Sequence, residues 1–263
     1  MTVPFPKPDQ RVGRVACLGL GREQVIELPA LKAAMGEGTL FVVSTPIGNL
    51  EDITLRAVRV LRECDGVACE DTRVTGRLLR HLEIQKPLHA YHDANENRVW
   101  EQLVERLARG QSLCLLSDAG TPLVSDPGFP LVRECRRRGI AVVAVPGASS
   151  LTAALSVAGL PTDRFEFRGF LPPKASTRKR FFDGILECRH TVVVFESCHR
   201  IAKFMTEAAE HLPPTRQIAV CRELTKRFET VSVGDLETVR SKVLTEPQKG
   251  EYVVVLAGSN YAG

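Results

Sequence analysis

From residue 39 onward, short runs of β-branched and apolar residues alternate with stretches whose apolar positions recur every three or four, the pattern of a parallel sheet covered by helices. Five runs in the first half are predicted as strands, at 39–44, 66–70, 87–91, 112–117 and 140–145. Between two of them Val99, Trp100, Leu103, Val104 and Leu107 share one helical face and Glu101, Gln102, Glu105 and Arg106 the other. Residues 96–109 therefore read as a covering helix with Trp100 in the core. The string PGASSLTAALSVAGLP, which begins at Pro146, is small, uncharged and bracketed by prolines, so residues 147–161 read as a crossover between two domains.

Beyond the crossover, strands are predicted at 164–170, 190–196, 217–222, 228–233 and 251–256. Residues 224–227 are too few for a crossover helix, so the strands on either side form an antiparallel hairpin and the second sheet is mixed. The expected fold class is α/β with two domains: an N-terminal parallel sheet with covering helices over 39–146, and a C-terminal unit with a mixed sheet over 162–263. Residues 1–38 form an N-terminal extension that the pattern does not place.

The length of 263 residues suits two domains at ~150 residues each. With 44% apolar and 25% charged residues, the chain has the composition of a globular protein rather than of a disordered one. No apolar run approaches the ~20 residues of a membrane span. The start of the chain lacks the apolar core of a secretory signal, and the protein reads as cytoplasmic. A net charge of +4 permits an anionic partner without requiring one. The eight cysteines include no Cys-x-x-Cys pair, which favours reduced core thiols over a zinc site and leaves no metal expected.

Ligands of open parallel sheets bind at the carboxyl ends of the strands, and the loops there are unusual. They run STPIGNL from Ser44, EDTR from Glu70, YHDANE from Tyr91, SDAGTPLVSDPG from Ser117 and PGASS from Pro146. The small residues of the fourth loop let a ligand lie against bare backbone, and Asp126 before Pro127 reads as a helix N-cap with proline at the first helical position. Gly19 and Gly21 imitate a dinucleotide fingerprint, but Gln24 stands where the third glycine belongs. The 147–151 segment lacks the second glycine of a nucleophile elbow, and no Walker-type phosphate loop is present.

Six strings, TPIGNLEDITLRA (45–57), EDTRVTGRLL (70–79), SDAGTPLVSDPG (117–128), GLPTDRF (159–165), GFLPPK (169–174) and CRELTK (221–226), resemble the ribosomal RNA small-subunit methyltransferase I family of the tetrapyrrole-methylase fold. The resemblance runs from about residue 39 to 257. It implies S-adenosylmethionine-dependent methylation of a ribose 2′-hydroxyl on a decoding-centre cytidine of 16S ribosomal RNA, by a homodimer whose cofactor lies between its two domains. Three departures stand out: residues 1–38 have no counterpart, Cys198 replaces a usual proline, and the chain stops just after its last strand.

By that resemblance Asp118, Ala119, Gly120 and Thr121 are assigned to the cofactor, with Pro46, Ser149 and Ser150 nearby. A ribose hydroxyl is a poor nucleophile at neutral pH, so a general base within reach is expected. Glu70 or Asp71 is the candidate, with Arg73 either pairing with it or holding an RNA phosphate, and His92 reads as a loop histidine. RNA contacts are expected from Arg77, beside Arg73 and Arg80 on one helix, and from Lys174, Arg178, Lys179 and Arg180. Arg136, Arg137 and Arg138 close a covering helix and read as a solvated end. Two rivals remain open: a tetrapyrrole methyltransferase of the same fold, and a non-catalytic RNA-binding module.

Overall fold

The computed structural model describes residues 38–263 and, ahead of them, the backbone of two short strands, β1 (Arg14–Ala16) and β2 (Val25–Glu27), which pair antiparallel. The rest of residues 1–37, with Gly19, Gly21 and Gln24, lies outside the described residues.

The first sheet holds β3 (Thr39–Val43), β4 (Gly66–Cys69), β5 (Leu88–Ala90), β6 (Leu113–Leu116) and β7 (Ala141–Val145), in the order β5-β4-β6-β3-β7. Every pairing is parallel. Successive strand residues serve opposite faces. Phe41, Val43, Val67, Cys69 and Leu116 pack against Ala57, Val60 and Leu61 of α1 (Leu55–Glu63) and Leu79 of α2 (Thr72–His81). Leu40, Ala68, Leu113 and Leu115 meet Leu103 and Leu107 of α3 (Glu96–Ala108) and Leu131 and Cys135 of α4 (Phe129–Arg137). Because both faces are covered, β4 and β6 are buried throughout, which is why they read as unbroken apolar runs.

The second sheet orders as β11-β10-β12-β9-β8, from β8 (Phe165–Phe170), β9 (Thr191–Ser197), β10 (Gln217–Arg222), β11 (Thr230–Asp235) and β12 (Glu251–Leu256). It is mixed as expected: β8 and β9 are parallel, the other neighbours antiparallel, and β10 pairs with β11 from Gln217 opposite Asp235 to Arg222 opposite Thr230. Val192, Val194, Ile218, Val254 and Leu256 face α6 (Ala175–Ile185), α7 (Ile201–His211) and α8 (Leu236–Thr245). The alternate residues Val193, Ala219, Val253 and Val255 face α5 (Ser150–Val157), which the small-residue segment supplies. Ile47, from the loop after β3, belongs to this second cluster and so ties the first unit to the second sheet.

Local chemistry sets the helix starts. Thr54 caps α1 by accepting from Ala57 N–H at 3.1 Å, and Asp71 caps α2 by accepting from Arg73 N–H at 2.7 Å. The start of α4 corrects a sequence expectation. Its N-cap is Gly128, at φ 141°, and a proline sits in its first turn at Pro130; Asp126 and Pro127 lie before the cap. A Cβ at Gly128 would come within 3.0 Å of Leu115 Cδ2 and Leu123 Cγ, so the chain turns there only with glycine. At the other end of α4, Arg137 and Arg138 both pair with the buried Glu134, so that run does more than end a helix. Among the described residues no helix is long and apolar enough to cross a membrane.

Candidate active site

Three of the loops predicted to carry chemistry are knotted together at the carboxyl ends of β3, β6 and β7. Thr45 and Gly120 exchange backbone hydrogen bonds at 2.8 and 3.1 Å. The Ser44 and Thr121 hydroxyls lie 2.9 Å apart, and Thr121 Oγ1 donates to Ala148 O at 3.1 Å. The fourth loop also carries two non-glycine residues in the left-handed region, Leu123 at φ 71° and Ser125 at φ 68°. It approaches the second sheet where β8 is irregular: a Cβ at Gly169 would come within 2.7 Å of Ser125 Oγ.

Between these loops and the second sheet lies a cleft of about 480 Å³. Glu70, Asp118, Ala119, Gly120, Thr121, Asp126, Ser149 and Ser150 line it from the first unit and the crossover. Phe170, Phe195, Glu196, Cys198, Leu224, Glu251 and Val253 line it from the second. Five carboxylates thus face the cleft, and no lysine, arginine or histidine among the described residues lines it.

Four of them, Glu70, Asp118, Asp126 and Glu196, hold their protons more tightly than usual. Burial raises the Glu70 carboxyl above its usual range, and the nearby Asp118 adds to that. Burial also raises Asp118, against the pull of an N–H donated by Asp71 at 3.0 Å. Asp126 is pushed up to about 6, chiefly by burial, with the charges of Glu70, Asp118 and Asp93 adding to a rise that the Ser117 hydroxyl partly offsets. Glu196, only 2% exposed, is raised by burial although Ser197 N–H and Arg200 hold it down. Groups raised by burial and by one another are stabilised by any positive charge brought among them. Glu196 and Glu251 already pair with Arg200 and Lys226 at 2.8 Å, so it is the group of Glu70, Asp118 and Asp126 that favours a cation in the cleft.

The expected residues divide in three. Asp118, Ala119, Gly120, Thr121, Ser149, Ser150 and Glu70 all line the cleft. Pro46 does not; it lines an adjoining hollow, because Ile47 rather than Pro46 turns toward the second sheet. Asp71 does not line the cleft either. Its carboxylate takes Arg73 Nη2 at 2.6 Å and caps α2, and these bonds hold it down to about 2, too weak a base to take a hydroxyl proton near neutrality. Of the two alternatives foreseen for Arg73, the ion pair with Asp71 is the one observed. Asp71 instead orients Asp118 through its backbone N–H.

Among the basic residues, Arg73, Arg77 and Arg80 stand exposed along α2, and Lys174, Lys179 and Arg180 are exposed at and within the first turns of α6. Arg178 corrects an expectation. Only 4% of its side chain is exposed; it grips Glu207 of α7 at 2.7 Å with both Nε and Nη2 and donates to the carbonyls of Pro172 and Pro173. It fastens the loop before α6 to α7 and is not free to meet RNA.

Sequence reasoning missed Asp126, whose place in the SDAGTPLVSDPG string was the available signal, and Glu196, for which position at a strand end was the only one. His92 sits in the third loop, its backbone N–H donating to Asn95 Oδ1 at 2.9 Å.

The sequence profile described as "Tetrapyrrole (Corrin/Porphyrin) Methylases" matches residues 39–240. A protein named ribosomal RNA small subunit methyltransferase I from Xylella fastidiosa is 47% identical over 224 residues, covering 84% of this chain and 82% of the relative. One of the same name from Pseudomonas aeruginosa is 47% identical over 226 residues, covering 85% and 80%. Among solved structures, a diphthine synthase superposes with a TM-score of 0.63 at 18% identity over 84% of this chain and 90% of its own. A uroporphyrin-III C-methyltransferase from Thermus thermophilus superposes with a TM-score of 0.55 at 24% identity over 84% and 94%. At those identities the likeness is one of fold.

Proposed function

The chain belongs to the tetrapyrrole (corrin/porphyrin) methylase family and to its ribosomal RNA small subunit methyltransferase I group, and on that premise we propose that it methylates the 2′-hydroxyl of a decoding-centre cytidine in 16S ribosomal RNA. The methyl donor is S-adenosylmethionine. The observation that carries the reading is the cleft of about 480 Å³ with five carboxylates and, among the described residues, no basic side chain on its walls. Its volume falls in the ~300–1,000 Å³ range of small-molecule sites. Its charge complements a ligand that bears a sulfonium and an ammonium, and opposes a tetrapyrrole ring fringed with carboxylates.

The bound donor supplies an electrophilic methyl group, and displacement at that carbon requires the acceptor oxygen in line behind it. The chain's own task is alignment and exclusion of water. Asp118 and the backbone of Ala119, Gly120 and Thr121 form the polar side of the cleft, with the crossover serines Ser149 and Ser150 beside them. Phe170, Phe195, Leu224 and Val253 close the apolar side. Glu70 is the general base: its carboxylate lies in the cleft and is more basic than an ordinary glutamate, and it takes the hydroxyl proton as the sugar oxygen acquires the methyl group.

RNA reaches this site through its phosphates. Arg77 and Arg80 project from the helix that follows Glu70, and Lys174, Lys179 and Arg180 from the loop and helix that follow Phe170, so cations flank the acidic cleft on both units. The working unit is a homodimer on the small ribosomal subunit, a reading carried by the family resemblance.

The test is transfer of labelled methyl from S-adenosylmethionine to small subunits lacking the modification, followed by mass mapping of the RNA. Label confined to one 2′-O-methylcytidine of 16S RNA is the expected result. Label on a base, label on uroporphyrinogen offered as the acceptor instead, or no transfer to any acceptor overturns the reading.

A further inference from the structure

Beside the cleft lies the second hollow, of about 300 Å³, between the loop after β3 and helix α2. Pro46, Leu50, Val74 and Leu78 supply its apolar walls, and the exposed Arg77 stands at its rim. Asp118 lines both this hollow and the cleft, so the two cavities meet at one carboxylate. The buried hydroxyls of Thr45 and Ser117 also reach it, and each has a backbone carbonyl as partner, at 3.4 Å in both cases.

Cavities joined at a single side chain are what transfer between two bound molecules requires, since the reacting atoms must come within about 3–3.5 Å. The two differ in chemistry as donor and acceptor would. The cleft is large and acidic; the hollow is smaller and walled by proline, valine and leucines, with a guanidinium at its mouth. A nucleobase drawn out of an RNA strand needs an apolar slot for its faces and a cation for the phosphate that comes with it. Leu50, 42% exposed, and Arg77 stand where such a nucleotide would enter.

Resting on the methyltransferase reading above, we propose that this hollow is the acceptor subsite: it takes the base of an extruded pyrimidine nucleotide, Arg77 holds that nucleotide's phosphate, and the ribose is left at Asp118, where the donor's cleft begins.

Two readouts separate this proposal from the reading it rests on. The first uses Val74→Trp, which fills the hollow from the half-buried side of α2, and Arg77→Ala, an exposed change that leaves the fold intact. Methyl transfer to small subunits is expected to fall about 100-fold in kcat with Val74→Trp, because the sugar is misplaced. With Arg77→Ala, KM for subunits is expected to rise about tenfold. Donor affinity, measured by calorimetry, stays as in the unmodified protein. Val74→Trp protein that binds the donor and transfers methyl at the original rate overturns the subsite.

The second readout needs no transfer. Cytidine 5′-monophosphate is titrated into protein carrying labelled leucine and valine methyl groups, with S-adenosylhomocysteine present. Shifts at Leu50, Val74 and Leu78 support the subsite even if the protein methylates no RNA, in which case the substrate reading alone fails. Shifts confined to Val124 and Val253 of the cleft, or none at any of the five, overturn it.

Discussion

A cleft built to attract a cation stores electrostatic cost when no cation is there, and Asp126 makes that cost measurable. Its folded-state pKa is raised from 3.8 to about 6, so ionisation favours the unfolded chain. At about 1.4 kcal/mol per tenfold change in proton affinity, that rise corresponds to roughly 3 kcal/mol for a fully buried group. The side chain is half-buried, and solvent screening reduces this to about 1 kcal/mol. The sign follows from the direction of the shift: the contribution to stability is fully present below the unfolded pKa of 3.8 and is lost as pH rises through about 6. Asp126→Asn removes the ionisation and should stabilise the donor-free protein by about 1 kcal/mol at pH 7.5. At pH 4.5 only about a third of that gain should remain. Urea denaturation of both proteins at the two pH values measures it, and calorimetry on the same samples should show donor affinity about tenfold weaker in the variant. A variant no more stable than its parent at pH 7.5, or equally stabilised at both pH values, would refute the electrostatic account of the cleft.

Three further outcomes follow from the site. Glu70→Gln should lower the single-turnover methylation rate about 100-fold or more, whereas Asp71→Asn, whose carboxylate is spent on Arg73 and the α2 cap, should leave the chemical step largely intact; equal rates in quench-flow for the two variants would remove Glu70 as base. Arg178→Met should cost about 3 kcal/mol in urea denaturation, because it strands Glu207 and frees two carbonyls, and should leave the salt dependence of subunit binding unchanged. Lys179→Glu and Arg180→Glu should do the opposite, sparing stability while each flattens the slope of log affinity against log salt by about one.

Much of the architecture was legible because it is written in apolar runs. β4 and β6 are buried on both faces, and the short 224–227 connection compels the antiparallel hairpin of β10 and β11. The loops at the strand ends were legible for a related reason: Ser117 to Gly128 spends small and turn-forming residues where a plain connection needs few. What stayed hidden depends on contacts remote in sequence. Arg178 looked like one more cation in a basic run, and only the packing of α6 on α7 brings Glu207 to it. Asp126 looked like a cap because Pro127 follows it, but the turn at Gly128 moves the helix start onward and leaves the carboxylate in the cleft. Glu196 and Phe195 enter the site only because β9 ends opposite the first unit's loops, a fact of domain packing that strand periodicity does not carry.

Both the methyl-transfer mechanism and the acceptor subsite require the donor to sit in the acidic cleft between the two sheets. Calorimetric titration of S-adenosylmethionine into the unmodified protein and into Ala119→Trp addresses it directly, because Ala119 lines the cleft from an exposed position where a large side chain fills the space without disturbing the core. A single donor should bind per unmodified chain, with protons released on binding near pH 6 as Asp126 ionises, and none should bind to the tryptophan variant. Undiminished donor affinity in Ala119→Trp would contradict that placement.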